Sequence, residues 1–398
     1  MIANPRKTSA GRSSGRLLIP DDDFYALVAV VRALRAAGYE PWVARLDGRR
    51  TLASRSRATA GSVAVPDPSD DAEGFIAALA AAAGRLRVAA VLPGTESALT
   101  VLAGREPAFP PGVRLAIPPY EVVARAIDKA LLARLAAEVG LRTPPTRVVS
   151  RSSLREIEFP AVVKPVTSSV AVDGRQRLGW VRRLDSAAGL EAAVADLPGD
   201  SLLVQPFLEG ALCAMSGVVW EGRLVCASHQ VARRIWPRHC GVSAYAQTVA
   251  RDDELERRVE ALLAAIGWNG LFEVQFIRRP DGHYVIDLNT RFYGSIALAI
   301  AAGLNLPAVW VDLELGRKPR VGAYRAGVRY RSEERDAHAL LDAFRRGRRL
   351  EALAGALPRR RTTHGLFSAR DPLPFLARLA ARVLSRAGRL ARRNAESA

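Results

Sequence analysis

The apolar positions change their period along the chain, and the changes mark out its parts. LLIP at 17–20 is an unbroken apolar run, the mark of a buried strand, and 40–46 (EPWVARL) and 87–92 (RVAAVL) read the same way. Between the first two, DDDFYALVAVVRALRAA at 21–37 opens on three acids and then repeats its apolar residues at helical spacing up to Gly38. A helix is predicted there, another over 71–83, and a third from Thr95, before a further strand at 113–117 (VRLAI). Strand alternating with helix predicts a doubly wound parallel sheet over about 16–117. No GxGxxG follows the first strand, so nothing in this region supports a dinucleotide site.

The pattern changes at Pro118-Pro119. Residues 118–140 read as one long helix containing Asp128-Lys129, and Pro144-Pro145 ends that regularity. Strands are predicted at 160–166 (PAVVKPV), 201–207 (SLLVQPF), 212–220, 223–230, 271–279 and 283–289, with helices at 186–197, 252–266 and 294–302. Pro280-Asp281-Gly282 supplies turn residues between the last two strands, which predicts a hairpin. Strands in runs, with helices set apart from them, predict an α+β arrangement after the α/β start.

Charge alters the picture only at the ends. The 398 residues carry a net charge of +18, but residues 1–16 hold four basic groups and no acid, and 317–398 hold 21 basic groups against seven acids. The body, 17–316, is neutral, which argues against a nucleic-acid-gripping surface there. Three cysteines without a CxxC pair point to a reducing, cytoplasmic setting rather than to a disulfide framework or zinc ribbon. There is no run of 18 apolar residues and no apolar stretch near Met1, so neither a membrane span nor a secretory signal is expected. Of the 58 basic residues only four are lysines, and within the neutral body only Lys129 and Lys164 remain. Lysine is a compact point charge where arginine is a planar fork, so two lysines in an arginine-rich chain mark places where the point charge is wanted.

Chemistry gathers near those lysines and on the hairpin. Asp287 and Asn289 are two apart on a strand and share a face, and the turn at 280–282 brings Gln275 back beside them. Three oxygen donors on one face suit Mg²⁺, and Arg291 sets a fixed positive charge nearby; an ordinary solvated strand face is the alternative. Lys164 ends an apolar strand and is followed by Thr167, Ser168 and Ser169, a loop able to receive phosphate oxygens; a strand-end lysine reaching for water is the alternative. Gln205-Pro206-Phe207-Leu208 closes another apolar strand, where main-chain groups can read a purine edge.

In this order the elements resemble the ATP-grasp superfamily of carboxylate–amine (or thiol) ligases, over about residues 17–315. The resemblance rests on Asp128-Lys129, FPAVVKPV, VQPFLEG and FEVQFIRRPDGHYVIDLNTRFYGSIALAIAAGLNLP. It implies an α/β pre-ATP-grasp domain at 17–118 after a basic N-terminus at 1–16. A two-lobed ATP-grasp domain at 119–316 would follow, with a small lobe at about 145–208 and a large lobe at about 209–316. The Arg-rich extension at 317–398, broken by Gly and Pro, is expected to be loosely attached. It implies ATP and Mg²⁺, as two ions, for cofactors. Lys129 and Lys164 would contact the phosphates, with Ser168 and Ser169 in the phosphate loop. Gln205, Pro206, Phe207 and Leu208 would face adenine, and Glu209 the ribose. Asp287, Asn289 and Gln275 would hold the metal, Gln standing at this position in the carbamoyl phosphate synthetase branch. Arg291, with Lys164, would steady the transferring phosphoryl group. The sequence departs from the family in a phosphate loop with a single late glycine (TSSVAVDG, 167–174), in Ala211 where a second acid is frequent, and in Asp for Glu at 287.

The implied reaction is ATP-dependent joining of a small-molecule carboxylate to an amine through an acyl phosphate. Arg233 and Arg234 are candidates for gripping a substrate carboxylate, one of the two facing water being the alternative. The same segment, 229–249, offers Ser243; Ser295 is placed to cap the last helix or bind an anion there. Arg378, Arg382, Arg386, Arg389 and Arg393 share one helical face, opposite Leu376, Leu379, Val383, Ala387 and Leu390. Such a helix suits an anionic membrane surface, or docking of its apolar side on the body. The rival to a ligase is an ATP-binding scaffold of weakened turnover, tethered by this basic tail.

Overall fold

The computed structural model describes residues 15–151, 153, 157–167, 169–172, 175–178, 181–188, 194–195, 197 and 199–396. Its first layer is a five-stranded parallel sheet made of β1 (Arg16–Asp21), β2 (Glu40–Leu46), β3 (Gly61–Val65), β4 (Ala90–Val91) and β5 (Arg114–Leu115). The spatial order is β3-β2-β1-β4-β5, so chain order reverses between β1 and β4. Helices α1 (Leu27–Ala36), α2 (Ala72–Leu86) and α3 (Glu96–Leu102) make the crossovers. Asp71 caps α2 and Thr95 caps α3, each accepting a hydrogen bond from a backbone N–H three residues on. The expected helix over 21–37 is shorter than its pattern. Asp21 is buried at the end of β1 and accepts from the N–H groups of Asp23 and Phe24, so the acids form a turn and α1 starts only at Leu27. Strand β3, with no clear alternation, was not anticipated.

The expected single helix over 118–140 is two. It breaks at Asp128, which closes α4 (Tyr120–Ile127) and caps α5 (Lys129–Glu138) through bonds from the N–H groups of Ala130 and Leu131. An aspartate in extended conformation is a strong N-cap, and that local preference overrides the continuous apolar period. The next sheet is antiparallel, in the order β10-β7-β11-β6, from β6 (Arg147–Ser150), β7 (Ala161–Pro165), β10 (Arg182–Leu184) and β11 (Ser201–Pro206). A separate hairpin pairs β8 (Ser169–Val172) with β9 (Arg175–Leu178). This lobe has its own small core around Val149, Ala161, Val163, Leu202 and Val204. The helix expected at 186–197 falls largely outside the described residues.

The largest sheet has seven strands. It contains β12 (Ala211–Trp220), β13 (Arg223–Trp236), β14 (Val242–Thr248), β15 (Gly270–Arg279), β16 (Gly282–Asn289), β17 (Arg329–Arg331) and β18 (Thr362–His364), in the order β16-β15-β12-β13-β14-β17-β18. Helices α6 (Asp253–Ile266), α7 (Ile296–Ala301) and α8 (Leu306–Glu314) pack on it. The architecture is therefore the expected one, a doubly wound α/β domain followed by two antiparallel lobes.

The extension after 317 is not loosely attached. β17 pairs with β14, and β18 with β17, so the segment completes the main sheet. Helices α9 (Glu333–Arg345) and α10 (Arg349–Ala356) pack together against it. Asp371 receives the guanidinium of Arg32 at 2.8 Å and the hydroxyl of Ser56 at 2.6 Å, which ties the extension to the N-terminal domain. Helix α11 (Leu373–Glu396) docks through Phe375 and Ala377, packed against the core, and through Arg378 and Arg382, both on Glu334. Its Leu376, Leu379 and Val383 remain half exposed or more. Arg386, Ala387, Arg389, Leu390 and Arg393 have side chains outside the described residues. No helix among the described residues is long and apolar enough to cross a membrane.

Candidate functional site

The site forms where the end of β7 and the start of α5 meet the edge strand β16. The N–H of Lys129 donates to the carbonyl of Val166 at 3.0 Å, and Asp128 forms an isolated bridge with Thr167. These bonds hold the first turn of α5 against the chain leaving β7, so Lys129 and Lys164, 35 residues apart in sequence, face the same place. The register between β15 and β16 slips at Gln275/Phe276: Gln275 pairs with Asp287 while Phe276 pairs with Val285, which leaves Ile286 as the extra residue of a bulge. Its carbonyl accepts a hydrogen bond from Lys164 Nζ at 2.7 Å. Lys129 Nζ makes an ion pair with Asp287 Oδ1.

The electrostatics follow from that packing. Burial, joined by repulsion from Lys129 and opposed by the attraction of Asp287, lowers the Lys164 ammonium to a pKa of about 8. Burial pushes the Asp287 carboxyl up, but Lys129 and Lys164 outweigh it and hold the group below the usual carboxylate range. Gln275 and Asp287 are direct cross-strand partners, as are Glu273 and Asn289. All four therefore share one face of the hairpin, as the alternation required for the three expected there. Glu273 is the member the sequence reading missed. Its signal was present, since it stands two residues before Gln275 on the same strand. It is buried, and burial pushes its pKa up to about 7 against the hydrogen bonds it accepts from Gln275 and Asn289. The Asp287 carboxylate and the carboxamides of Gln275 and Asn289 can supply oxygen donors that fit a hard divalent cation, with Glu273 bonded behind the two amides. Among the described residues no group of three or more His, Cys, Asp or Glu is gathered for a metal.

Arg291 follows β16 but turns to the N-terminal domain. Its guanidinium contacts Glu96 Oε2 at 3.1 Å and the carbonyl of Phe292 at 3.0 Å, while still lowering the carboxyls of Glu273 and Asp287 through space. Glu96, at the start of α3 and 195 positions away, could not have been matched to Arg291 from sequence.

The hinge residues are placed as follows. Gln205 is buried and donates to Thr146 Oγ1 at 2.9 Å, so its side chain fastens β11 to the chain before β6. Pro206 ends β11, and the N–H of Phe207 donates to the carbonyl of Pro160 at 2.9 Å. Leu208 and Glu209 continue toward β12, Glu209 exposed. Arg183 lies over the Phe207 ring at 4.0 Å and meets His239 Nδ1 at 2.8 Å, with His239 edge-on to the same ring. The chain beyond β13 thus reaches across to the small lobe, a contact the sequence did not reveal. Ser168 lies outside the described residues, and of Ser169 only the backbone, in β8, is described.

The arginine pair expected to grip a carboxylate has divided roles. Arg234 binds Asp336 of α9 through two nitrogens, at 2.7 and 3.1 Å, and stacks over Tyr245 at 4.4 Å. Asp336 is 1% exposed and is also held by Arg331 at 3.0 Å, so the carboxylate that Arg234 grips belongs to its own chain. Arg233 is exposed and reaches Gln247. Ser243 sits on β14 opposite Ile235. Ser295 precedes α7 without capping it; its hydroxyl is buried between Gln230 and Glu273 instead.

A profile of the family described as ATP-grasp in the biosynthetic pathway with Ter operon matches residues 199–335, which run from β11 into α9. The carbamoyl phosphate synthase large chain of Haemophilus ducreyi is 26% identical over 176 residues, 41% of this chain and 16% of that protein. That of Thermotoga neapolitana is 23% identical over 222 residues, 52% of this chain and 20% of that protein. The chain thus spans a fifth or less of these relatives. Among solved structures, the L-amino acid ligase from Bacillus licheniformis superposes with a TM-score of 0.61 at 17% identity, covering 80% of this chain and 79% of that one. A biotin carboxylase from Campylobacter jejuni gives 0.59 at 15%, covering 79% and 74%, and the N5-carboxyaminoimidazole ribonucleotide synthetase from Thermus thermophilus gives 0.56 at 16%, covering 79% and 82%. At such identities these structures speak for the fold. Residues 199–335 thus match an ATP-grasp family, and the chain has the ATP-grasp fold.

Proposed function

We propose that this protein is an ATP- and Mg²⁺-dependent ligase that joins a small-molecule carboxylate to an amine. The observation that carries the reading is the meeting of Lys129, Lys164 and Asp287 at the junction of β7, α5 and β16, beside Gln275 and Asn289. Two partly buried ammonium groups there would neutralise a polyphosphate, and the hinge at 206–209 would receive the base. Mg²⁺, as two ions, would be held by Asp287, Asn289 and Gln275 and would draw charge from the phosphate oxygens. A substrate carboxylate oxygen attacks the γ-phosphorus, the bond to the bridging oxygen breaks, and ADP leaves. The amine then attacks the acyl carbon, loses a proton, and inorganic phosphate departs. This chain's contribution is position and charge: Lys129 and Lys164 on the phosphates, and Arg291 on the transferring group once it exchanges Glu96 for it. Neither substrate is named by the site. Arg233 and Ser243 remain candidates for contacting the carboxylate substrate.

The test is ADP release with a mixed pool of carboxylates and amines, compared with Asp287→Asn. Amide product with ADP formation that falls at least tenfold in the variant supports the ligase. ATP binding without turnover under any pool supports the scaffold instead. The exposed apolar positions of α11 favour one accessory reading, attachment to an anionic lipid surface. Co-sedimentation with anionic but not neutral vesicles, lost on truncation after residue 372, is its test.

A further inference from the structure

Behind the candidate cation site lies a layer of buried polar side chains that no step of the proposed reaction uses. Glu273 is its centre. Glu273 Oε2 accepts a hydrogen bond from Gln275 Nε2 at 3.1 Å and another from Asn289 Nδ2 at 2.9 Å. Glu273 Oε1 lies 3.4 Å from Ser295 Oγ, which in turn accepts from Gln230 Nε2 at 2.8 Å. A hydroxyl carries one proton. Gln230 donates to Ser295 through Nε2, and the one hydroxyl proton has two acceptors in reach, Gln230 Oε1 at 3.2 Å and Glu273 Oε1 at 3.4 Å, so Ser295 links the two side chains. Glu273, Ser295 and Gln230 are all buried, at 3%, 5% and 5% exposure.

The consequence concerns the amides. A carboxamide can present either its oxygen or its NH₂ to a given neighbour, and only the oxygen serves a cation. Turning either amide over would set its oxygen against Glu273 Oε2, a repulsive contact in a buried place. Because one oxygen of Glu273 takes the N–H of both Gln275 and Asn289, both carbonyl oxygens are turned away from it. We propose that Glu273 is a positioning residue, which fixes the orientation of the Gln275 and Asn289 amides so that both offer oxygen to the divalent cation, with Ser295 and Gln230 holding Glu273 in place. This rests on the reading of 275, 287 and 289 as the cation ligands. It also gives the strand sequence Glu-Val-Gln a reason: a ligand that is Gln rather than Glu must be oriented, and the carboxylate two residues earlier does it.

The size of the effect is set by what orientation is worth. Without Glu273 the two amides have four combined orientations, of which one offers both oxygens, a loss of about fourfold before N–H repulsion is added. Removing a buried partner of a metal ligand typically lowers metal affinity about 10–100-fold. The measurement is Mn²⁺ binding to the full-length protein in the presence of ADP, followed by electron paramagnetic resonance, for the unaltered protein, Glu273→Gln, Ser295→Ala and Asp287→Asn. Melting curves and ADP binding in excess chelator are recorded alongside. The expected result is a loss of about 10–100-fold in Glu273→Gln and a smaller loss in Ser295→Ala, with melting temperature and chelator-state ADP binding kept. Should Glu273→Gln not fold, Ser295→Ala alone reads the same layer, and unchanged Mn²⁺ affinity in it overturns the proposal. Mn²⁺ affinity unchanged in Glu273→Gln overturns it too, as does a Glu273 oxygen inside the coordination sphere of a crystal structure with Mn²⁺ and ADP. If Asp287→Asn loses Mn²⁺ and Glu273→Gln does not, only the positioning role fails; if the unaltered protein binds no Mn²⁺ with ADP, the ligand assignment falls and the positioning role with it.

Discussion

Lys164 provides the sharpest test of the nucleotide reading, because burial has moved its titration into an accessible range. At a pKa of about 8 it is half neutral at pH 8 without a ligand. Phosphate oxygens favour the charged form, so binding must draw a proton from solution. If the bound nucleotide returns the group to its ordinary value near 10.5, uptake is about a tenth of a proton at pH 7, about half at pH 8 and about nine-tenths at pH 9, declining again above. Only the charged fraction binds well, so ADP affinity should weaken about tenfold from pH 7 to pH 9. The sign for folding is the reverse of an ion pair's. The unfolded chain binds more protons between about 8 and 10.5, so without nucleotide this group adds stability as pH rises through that window. Calorimetric titration with ADP in buffers of different ionisation enthalpy reads the uptake directly. Lys164→Met should bind ADP more weakly and lose both the uptake and the pH dependence. Equal uptake at pH 8–9 in the two proteins, or ADP affinity independent of pH in the unaltered one, would refute the placement of Lys164 on the phosphates.

Other outcomes follow from single contacts. Glu96→Gln removes the charge that holds Arg291, and should change kcat rather than ADP affinity; a change in ADP Kd alone would contradict a role for Arg291 at the transferring group. Arg234→Met leaves the buried Asp336 with Arg331 as its charged partner, and because Arg234 is partly exposed the loss should fall below the roughly 3–5 kcal/mol of a fully buried pair. Its melting temperature should drop while kcat/KM is kept; the opposite result would return Arg234 to the substrate. Gly294→Ala would set a methyl 2.4 Å from the Tyr25 hydroxyl, which bonds to the Gly294 carbonyl, as Tyr330 does. Overpacking of this kind costs about 1–3 kcal/mol, and a melting curve unchanged by the substitution would contradict the tightness of that seam.

The sequence determined what depends on local pattern. The switch from helical to strand period located both the doubly wound start and the 271–289 hairpin, and simple alternation put Gln275, Asp287 and Asn289 on one face. Scarcity did the rest, since two lysines left in an arginine-rich body are the two that face Asp287 and Ile286. What pattern could not carry was partnership between distant charges. Arg234 and Arg233 look alike in the chain, and only the return of α9 with Asp336 divides them. Arg291 has no sequence signal for Glu96. The segment after 317 reads as loose because its arginines and glycines obscure three-residue strands, yet β17 and β18 gain their stability from an existing sheet edge rather than from their own propensity. Even Asp128, a cap that stops a helix in mid-pattern, matters through what it meets: the chain leaving β7, which brings Lys129 to the site. Local preference sets which elements form; burial and long-range pairing decide which of their charges face a ligand and which face one another.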